Sequence, residues 1–249
     1  MRVNFFTRDF MISIRSLFPV LSKSDSISMD SERVVFLGKS GADFDGARYD
    51  LIKSQAKEKD REKGKENGME KDSKIFRLSL FLTHKNQFIF TAPCGPDPPE
   101  GLEDLAFCVR SGLSLLRRLG IEPKIGLISG GRAGDLGRSA AVDQTIHNAE
   151  SLLILLQNEN IAAKHYTILI EDAVNAADFL ILPDSLSGEM ILKTVSGIGS
   201  GREIGNVLIV KNGNEKEMDT MGTIYIEQMT KNANRVDALI LREAFLKSF

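Results

Sequence analysis

The stretch that most constrains the fold is Ala177 to Gly205, ADFLILPDSLSGEMILKTVSGIGSGREIG. It reads as strand, loop, helix and glycine-rich turn. Phe179 to Leu182 is a short apolar run suited to a buried parallel strand, and Pro183 ends it because proline brings no N–H to the ladder. Either Ser185 or Ser187 suits the cap of a following helix whose apolar positions Ile191, Val195 and Ile198 share a face. Gly197, Gly199 and Gly201 stop that helix, and the run to Gly205 reads as a crossing turn. Loops between parallel strands and helix N-termini are where α/β sheets bind ligands, since unpaired N–H groups and the helix dipole favour an anion.

The same order recurs along the chain. Lys124 to Ser129 reads as a buried strand that enters SGGRAGDLGRS before a helix from about Ser139 to Gln157. Leu102, Leu105, Val109, Leu113 and Leu116 repeat at helical spacing until Gly120. Ile75 to Leu82 and Gln87 to Ala92 flank the polar turn THKN and read as an antiparallel hairpin, with His84 an exposed turn residue. Val34 to Gly38, Tyr166 to Ile170, Val207 to Val210 and Thr223 to Ile226 are further strand candidates, and Arg235 to Lys247 is a closing helix. Strands alternating with helices predict a three-layer α/β fold, its mixed sheet mainly parallel.

Composition narrows the function classes. The 249 residues carry a formal charge of -2, so neither nucleic acid nor an anionic membrane is an expected partner. No window reaches the ~18 apolar residues of a membrane-spanning helix. Cys94 and Cys108 lack CxxC neighbours and the histidines at 84, 147 and 165 are scattered, so no metal site is expected. Two buried thiols in a reducing cytoplasm fit this usage, as does a single disulfide. Three units are expected: a divergent N-terminal part over 1–52, a solvated charged linker over 53–74, and an α/β domain over 75–249.

Three segments carry candidate chemistry. The loop Ser129, Gly130, Gly131, Arg132 precedes a helix N-terminus, where amides and a guanidinium suit phosphate; a plain surface loop fits equally. It lacks the P-loop spacing, as does GKSGADFDGAR at 38–48, and GIGSGREIG lacks the dinucleotide fingerprint. The third segment is YIEQMTKNANRVD, in which Thr230, Lys231 and Asp237 supply a hydroxyl, a cation and a carboxylate for acyl or phosphoryl chemistry. Asp237 is also where a carboxylate favours the first turn of a helix capped by Asn234.

Together and in this order, FLILPDSLSGEMILK, GIGSGREIGNVLI and RRLGIEPKIGLISGG resemble the phosphate acetyltransferase and phosphate butyryltransferase family, of isocitrate dehydrogenase-like fold. The SGGR loop and RSAAVD at 138–143 look closest to its methanogenesis marker subgroup MtxX, described as methyltransferase-related. The resemblance covers about Ile75 onwards and implies acyl transfer between an acyl phosphate and coenzyme A, the latter a substrate and not a resident cofactor. It assigns the base to Asp237, the hydroxyl to Thr230 and the phosphate grip to Lys231 with Arg132. Ser129, Gly130, Gly131, Ser187, Gly188 and Arg48 are the further binding residues it implies. Lys231 stands where the family has an arginine, losing a planar two-pronged grip, and Glu189 replaces an asparagine beside a helix N-terminus. Members of the family carry a further α/β half upstream that residues 1–33 do not supply. The resemblance therefore leaves two readings: an acyltransferase, with homodimerisation as in relatives, or an accessory protein of methyltransferase subunits in which the site has eroded. If the upstream half is missing, the last helix is expected to lose packing partners.

Overall fold

The computed structural model describes residues 34–39, 49–55, 73–213, 216, 224–230 and 233–248, the first of these as backbone. Most of the predicted N-terminal unit and charged linker lies outside them, as do Lys231 and Arg48. Eight strands form one sheet among the described residues: β1 (Val34–Lys39), β2 (Lys74–Leu82), β3 (Phe88–Cys94), β4 (Ile125–Leu127), β5 (Ala163–His165), β6 (Phe179–Ile181), β7 (Arg202–Lys211) and β8 (Ile224–Gln228). Their order is β1-β8-β7-β2-β3-β6-β4-β5. Strands β3, β6, β4 and β5 are mutually parallel, β1 is parallel to β8, and β2 and β7 turn the centre antiparallel.

Helices α1 (Leu102–Arg118), α2 (Ala140–Asn158) and α5 (Arg235–Leu246) cover one face. There Phe76, Leu78, Leu80, Phe179, Val207, Ile209 and Ile226 meet Phe107, Leu116, Leu152, Leu241 and Phe245 in the main core. These strand residues alternate, as a sheet with one face on each layer requires. The other face carries α3 (Ile170–Ala176) and α4 (Ser185–Gly197) over Phe81, Ile89 and Leu180, and the helical segment 49–55 over Ile75 and Leu208. The fold is thus the expected three-layer α/β arrangement.

Four local expectations change. The edge strand is Ala163–His165, not Tyr166 to Ile170. Tyr166 still donates its N–H to the Leu127 carbonyl (2.9 Å), but Thr167 has φ 59, a left-handed conformation that ends the extended run. The cap of α4 is Asp184, whose carboxylate accepts the Ser187 N–H (2.8 Å), and neither serine takes that place. The glycine run is strand from Arg202 onwards, so the crossing turn closes at Gly201 and Gly205 belongs to β7. A Cβ at Gly205 would stand 3.1 Å from Leu241, so this glycine lets α5 sit close on the sheet. Finally, α5 does not lack partners: Ala238, Leu241, Ala244 and Phe245 are buried in the main core.

Candidate functional site

Strand alternation hides a polar stripe on the α4 face. Glu227, Asn206, Ser79 and Thr91 stand opposite one another on β8, β7, β2 and β3 and are fully buried. One pleat along, Arg77 pairs with Cys94. Burying so many polar groups is costly unless they bond to each other, and the charged ones do, whereas Ser79 Oγ and Asn206 Oδ1 find no partner among the described residues. The Arg77 Nε donates to Glu227, its Nη1 donates to Glu189 on α4 (2.9 Å), and its Nη2 donates to the Tyr49 hydroxyl. That hydroxyl donates in turn to Glu227 Oε2 (3.1 Å). Although burial opposes its charge, the facing carboxylates hold the Arg77 guanidinium firmly protonated, above its usual range. Glu189 therefore does not leave an acid loose at the helix N-terminus; it is drawn onto an arginine.

At the N-terminus of α4 the polar groups are likewise paired. Ser187 donates its hydroxyl to Asp184 Oδ2 (2.9 Å), so both its polar groups serve the cap. At Gly188 any Cβ would come within 2.4 Å of the Pro93 carbonyl and 2.7 Å of Cys94 Sγ. This glycine is required for helix-to-strand packing. Cys94 and Cys108 are free and buried, and burial pushes both thiols up.

The Ser129 loop is stapled by its own bonds. The Ser129 hydroxyl donates to the Gly131 carbonyl (2.8 Å) and lies 2.9 Å from His165 Nε2. Burial lowers the His165 pKa, with Glu150 opposing. Gly130 N–H donates to Thr145 Oγ1 (2.8 Å) and Arg132 N–H to Asp135 Oδ2 (2.9 Å). The Arg132 side chain is exposed.

At β7 and β8 a different constellation appears. Glu203, fully buried, accepts the Asn206 side-chain N–H and the Met229 and Thr230 backbone N–H groups (2.6, 2.7 and 2.6 Å), fixing the loop after β8. Asn234 caps α5 through Val236 N–H (3.0 Å), as the sequence suggests. Asp237 in that first turn is fully buried, and its Oδ2 lies 2.9 Å from Arg202 Nε. Burial raises its pKa to about 6 against the lowering pull of Arg202. The buried Thr230 Oγ1 and Gln228 Oε1 find no hydrogen-bond partner among the described residues.

Among the described residues these groups do not converge. Strands β4 and β6 end where the Ser129 loop and the Ser187–Gly188 turn lie, whereas β8 ends and β7 begins beside the β2–β3 turn. The registers put Ser129 and Thr230 roughly 20 Å apart along the strands and about 24 Å across them, at ~3.3 Å per residue and ~4.8 Å per strand. The Arg77 network sits between. Apart from Glu189, its residues escaped the sequence reading because KIFRLSLFL and IYIEQ read as apolar strands; the signal available was Arg77 and Ser79 two apart on one pleat face, and Glu227 inside an otherwise apolar run.

The chain matches no protein-family profile. It is homologous to archaeal proteins named "Putative methyltransferase mtx subunit X". That of Methanosarcina mazei is 42% identical over 132 residues, 53% of this chain and 47% of the relative. That of Methanosarcina barkeri is 41% identical over 132 residues, 53% of this chain and 49% of the relative. The matched segments thus span about half the length of these curated relatives. Among solved structures, a branched-chain phosphotransacylase from Enterococcus faecalis superposes with TM-score 0.55 at 11% identity, over 100% of this chain and 86% of that one. A phosphotransacetylase from Staphylococcus aureus gives TM-score 0.55 at 12% identity, over 97% and 76%. The fold is that of the phosphotransacylases.

Proposed function

We propose that the protein is a phosphotransacylase-fold accessory of methyl-transfer subunits, in which the scaffold is retained and the acyl-transfer constellation is not assembled within the described chain. The observation that carries this reading is the separation of the two candidate half-sites, the Ser129 loop with Gly188 at one end of the sheet and Thr230 with Asp237 at the other. Transfer between acyl phosphate and coenzyme A needs a base, a hydroxyl and a phosphate grip around one reacting carbon, with reacting atoms about 3–3.5 Å apart. Amides that an anion would use at the Ser129 loop already donate to Thr145 and Asp135, and Arg77 already grips two carboxylates. The names of the homologous archaeal proteins support a partner among methyltransferase subunits.

The test is recovery of partners by the tagged protein from an extract of Methanosarcina mazei, with Leu186→Glu/Met190→Glu as a surface control. Enrichment of a methyltransferase subunit is the expected result. Recovery of none, by a protein shown to be folded, contradicts the accessory reading.

A second reading, acyl transfer, draws on one specific observation. Asp237 has a pKa of about 6, suited to a general base near neutrality, and it shares a seam with the unbonded hydroxyl of Thr230. Lys231, beside Thr230 in sequence, would then supply the phosphate grip in place of an arginine. On this reading the missing anion contacts come from a second copy or from another chain.

A further inference from the structure

The α4 face holds a groove that neither reading uses. It has a volume of about 400 Å³, its floor is Phe81 and Leu180, and its walls are Ile170 and Val174 on α3 and Ile191 and Val195 on α4. A site of this size, apolar within and polar only at its rim, is what small-molecule pockets look like. Met190, which lines it, is 60% exposed, so the apolar lining continues to the solvent-facing side of α4.

One end is closed by the β2–β3 turn, and that turn is fixed in place. Thr83 N–H donates to the Gln87 carbonyl (2.9 Å), Asn86 takes φ 61, and the Gln87 side chain donates to the Val174 carbonyl of α3. The turn thereby holds His84 and Lys85 at the rim. The rim's acid lies elsewhere: Glu171 precedes Val174 by three residues, about 4.5 Å further along α3 from that anchor at ~1.5 Å per residue. The Lys85 cation thus stands at the turn end and the Glu171 carboxylate farther along the wall. The groove is preformed, since its floor is sheet and both walls are helix. Met229 packs in the same apolar cluster as Ile191 and Val195.

We infer that this groove binds a small amphiphile, an aliphatic chain ending in a carboxylate, with the chain on Phe81, Leu180, Val174 and Val195 and the carboxylate at Lys85. The site is independent of the accessory and acyl-transfer readings, because it needs neither Asp237 nor a protein partner.

Isothermal titration with octanoate tests it, with octanol and octyltrimethylammonium as head-group controls. The expected result is one octanoate per chain, with octanol at least threefold weaker and the cation not bound. Thr194→Trp, at an exposed wall position, should fill the groove and remove binding while leaving the circular-dichroism melt in place; Val174→Trp is the second filling variant. Lys85→Glu should weaken octanoate at least tenfold and leave octanol unchanged. Absence of stoichiometric binding by the folded protein, or binding that survives both filling variants, overturns the site. Equal affinity for octanoate and octanol, or no effect of Lys85→Glu, overturns the carboxylate assignment.

Discussion

At the level of single residues, the chemistry is decided by how burial is compensated. Asp237 is fully buried with one cation beside it, and its pKa rises from 3.8 to about 6. A raised carboxylate pKa means the folded state holds a proton that the unfolded state has released between about pH 4 and 6, so stability falls as pH rises through that window. The cost is absent below pH 4 and full above pH 6, about 3 kcal/mol at 1.36 kcal/mol per unit. Asp237→Asn should therefore flatten the dependence of the urea midpoint on pH between 4 and 6 and raise stability at pH 7; an unchanged profile would contradict the assignment. Arg77 is the opposite case, a buried cation gripped by two carboxylates and a phenol. Arg77→Met leaves Glu227 buried without its guanidinium and should cost about 3–5 kcal/mol, read by urea denaturation, with part of the loss recovered in Arg77→Met/Glu227→Leu. Asp237 was legible in the sequence because its spacing from Asn234 is a helix-cap pattern. Arg77 was not, since its partners come from β8, α4 and the segment 49–55, and only folding brings residues so far apart in sequence into one cluster.

At the level of elements, short-range signals translated well wherever one residue decides a boundary. The hairpin, the helices at 102–118 and 140–158 and the closing helix follow from periodicity and from stops such as Gly120, which takes φ 78. The misread helix cap has a plain cause: a competing local group took the role. Asp184 outcompeted two serines for the α4 cap because its carboxylate bonds both the amide and the hydroxyl of Ser187. Asp184→Ala should cost about 1 kcal/mol, in the usual range for a lost cap, and Ser185→Ala less through this cap, since the Ser185 hydroxyl is used elsewhere, on the Asp97 carbonyl (2.9 Å). Gly188→Ala tests the closeness of α4 to β3. With the Pro93 carbonyl 2.4 Å from the added carbon, backbone must shift, and a loss of about 1–3 kcal/mol is expected in thermal or urea unfolding. A neutral substitution there would mean that α4 stands farther from the sheet than described.

At the level of the whole molecule, a phosphotransacylase scaffold carries the two candidate half-sites at two ends of one sheet, with a closed arginine–carboxylate network between them. The sequence conveyed the scaffold because three strand–loop–helix passages in order are a property of the chain's pattern. It conveyed which residues are chemically capable, Ser129, Arg132, Thr230 and Asp237 among them, but not their separation, because strand direction and sheet order are set by pairings that no local pattern encodes. The most direct measurement is thioester formation by the purified protein given acetyl or butyryl phosphate with coenzyme A, alongside Asp237→Asn. The proposed accessory role predicts rates that are equal in the two proteins and no higher than without protein. A rate above background that Asp237→Asn abolishes would contradict it and establish acyl transfer.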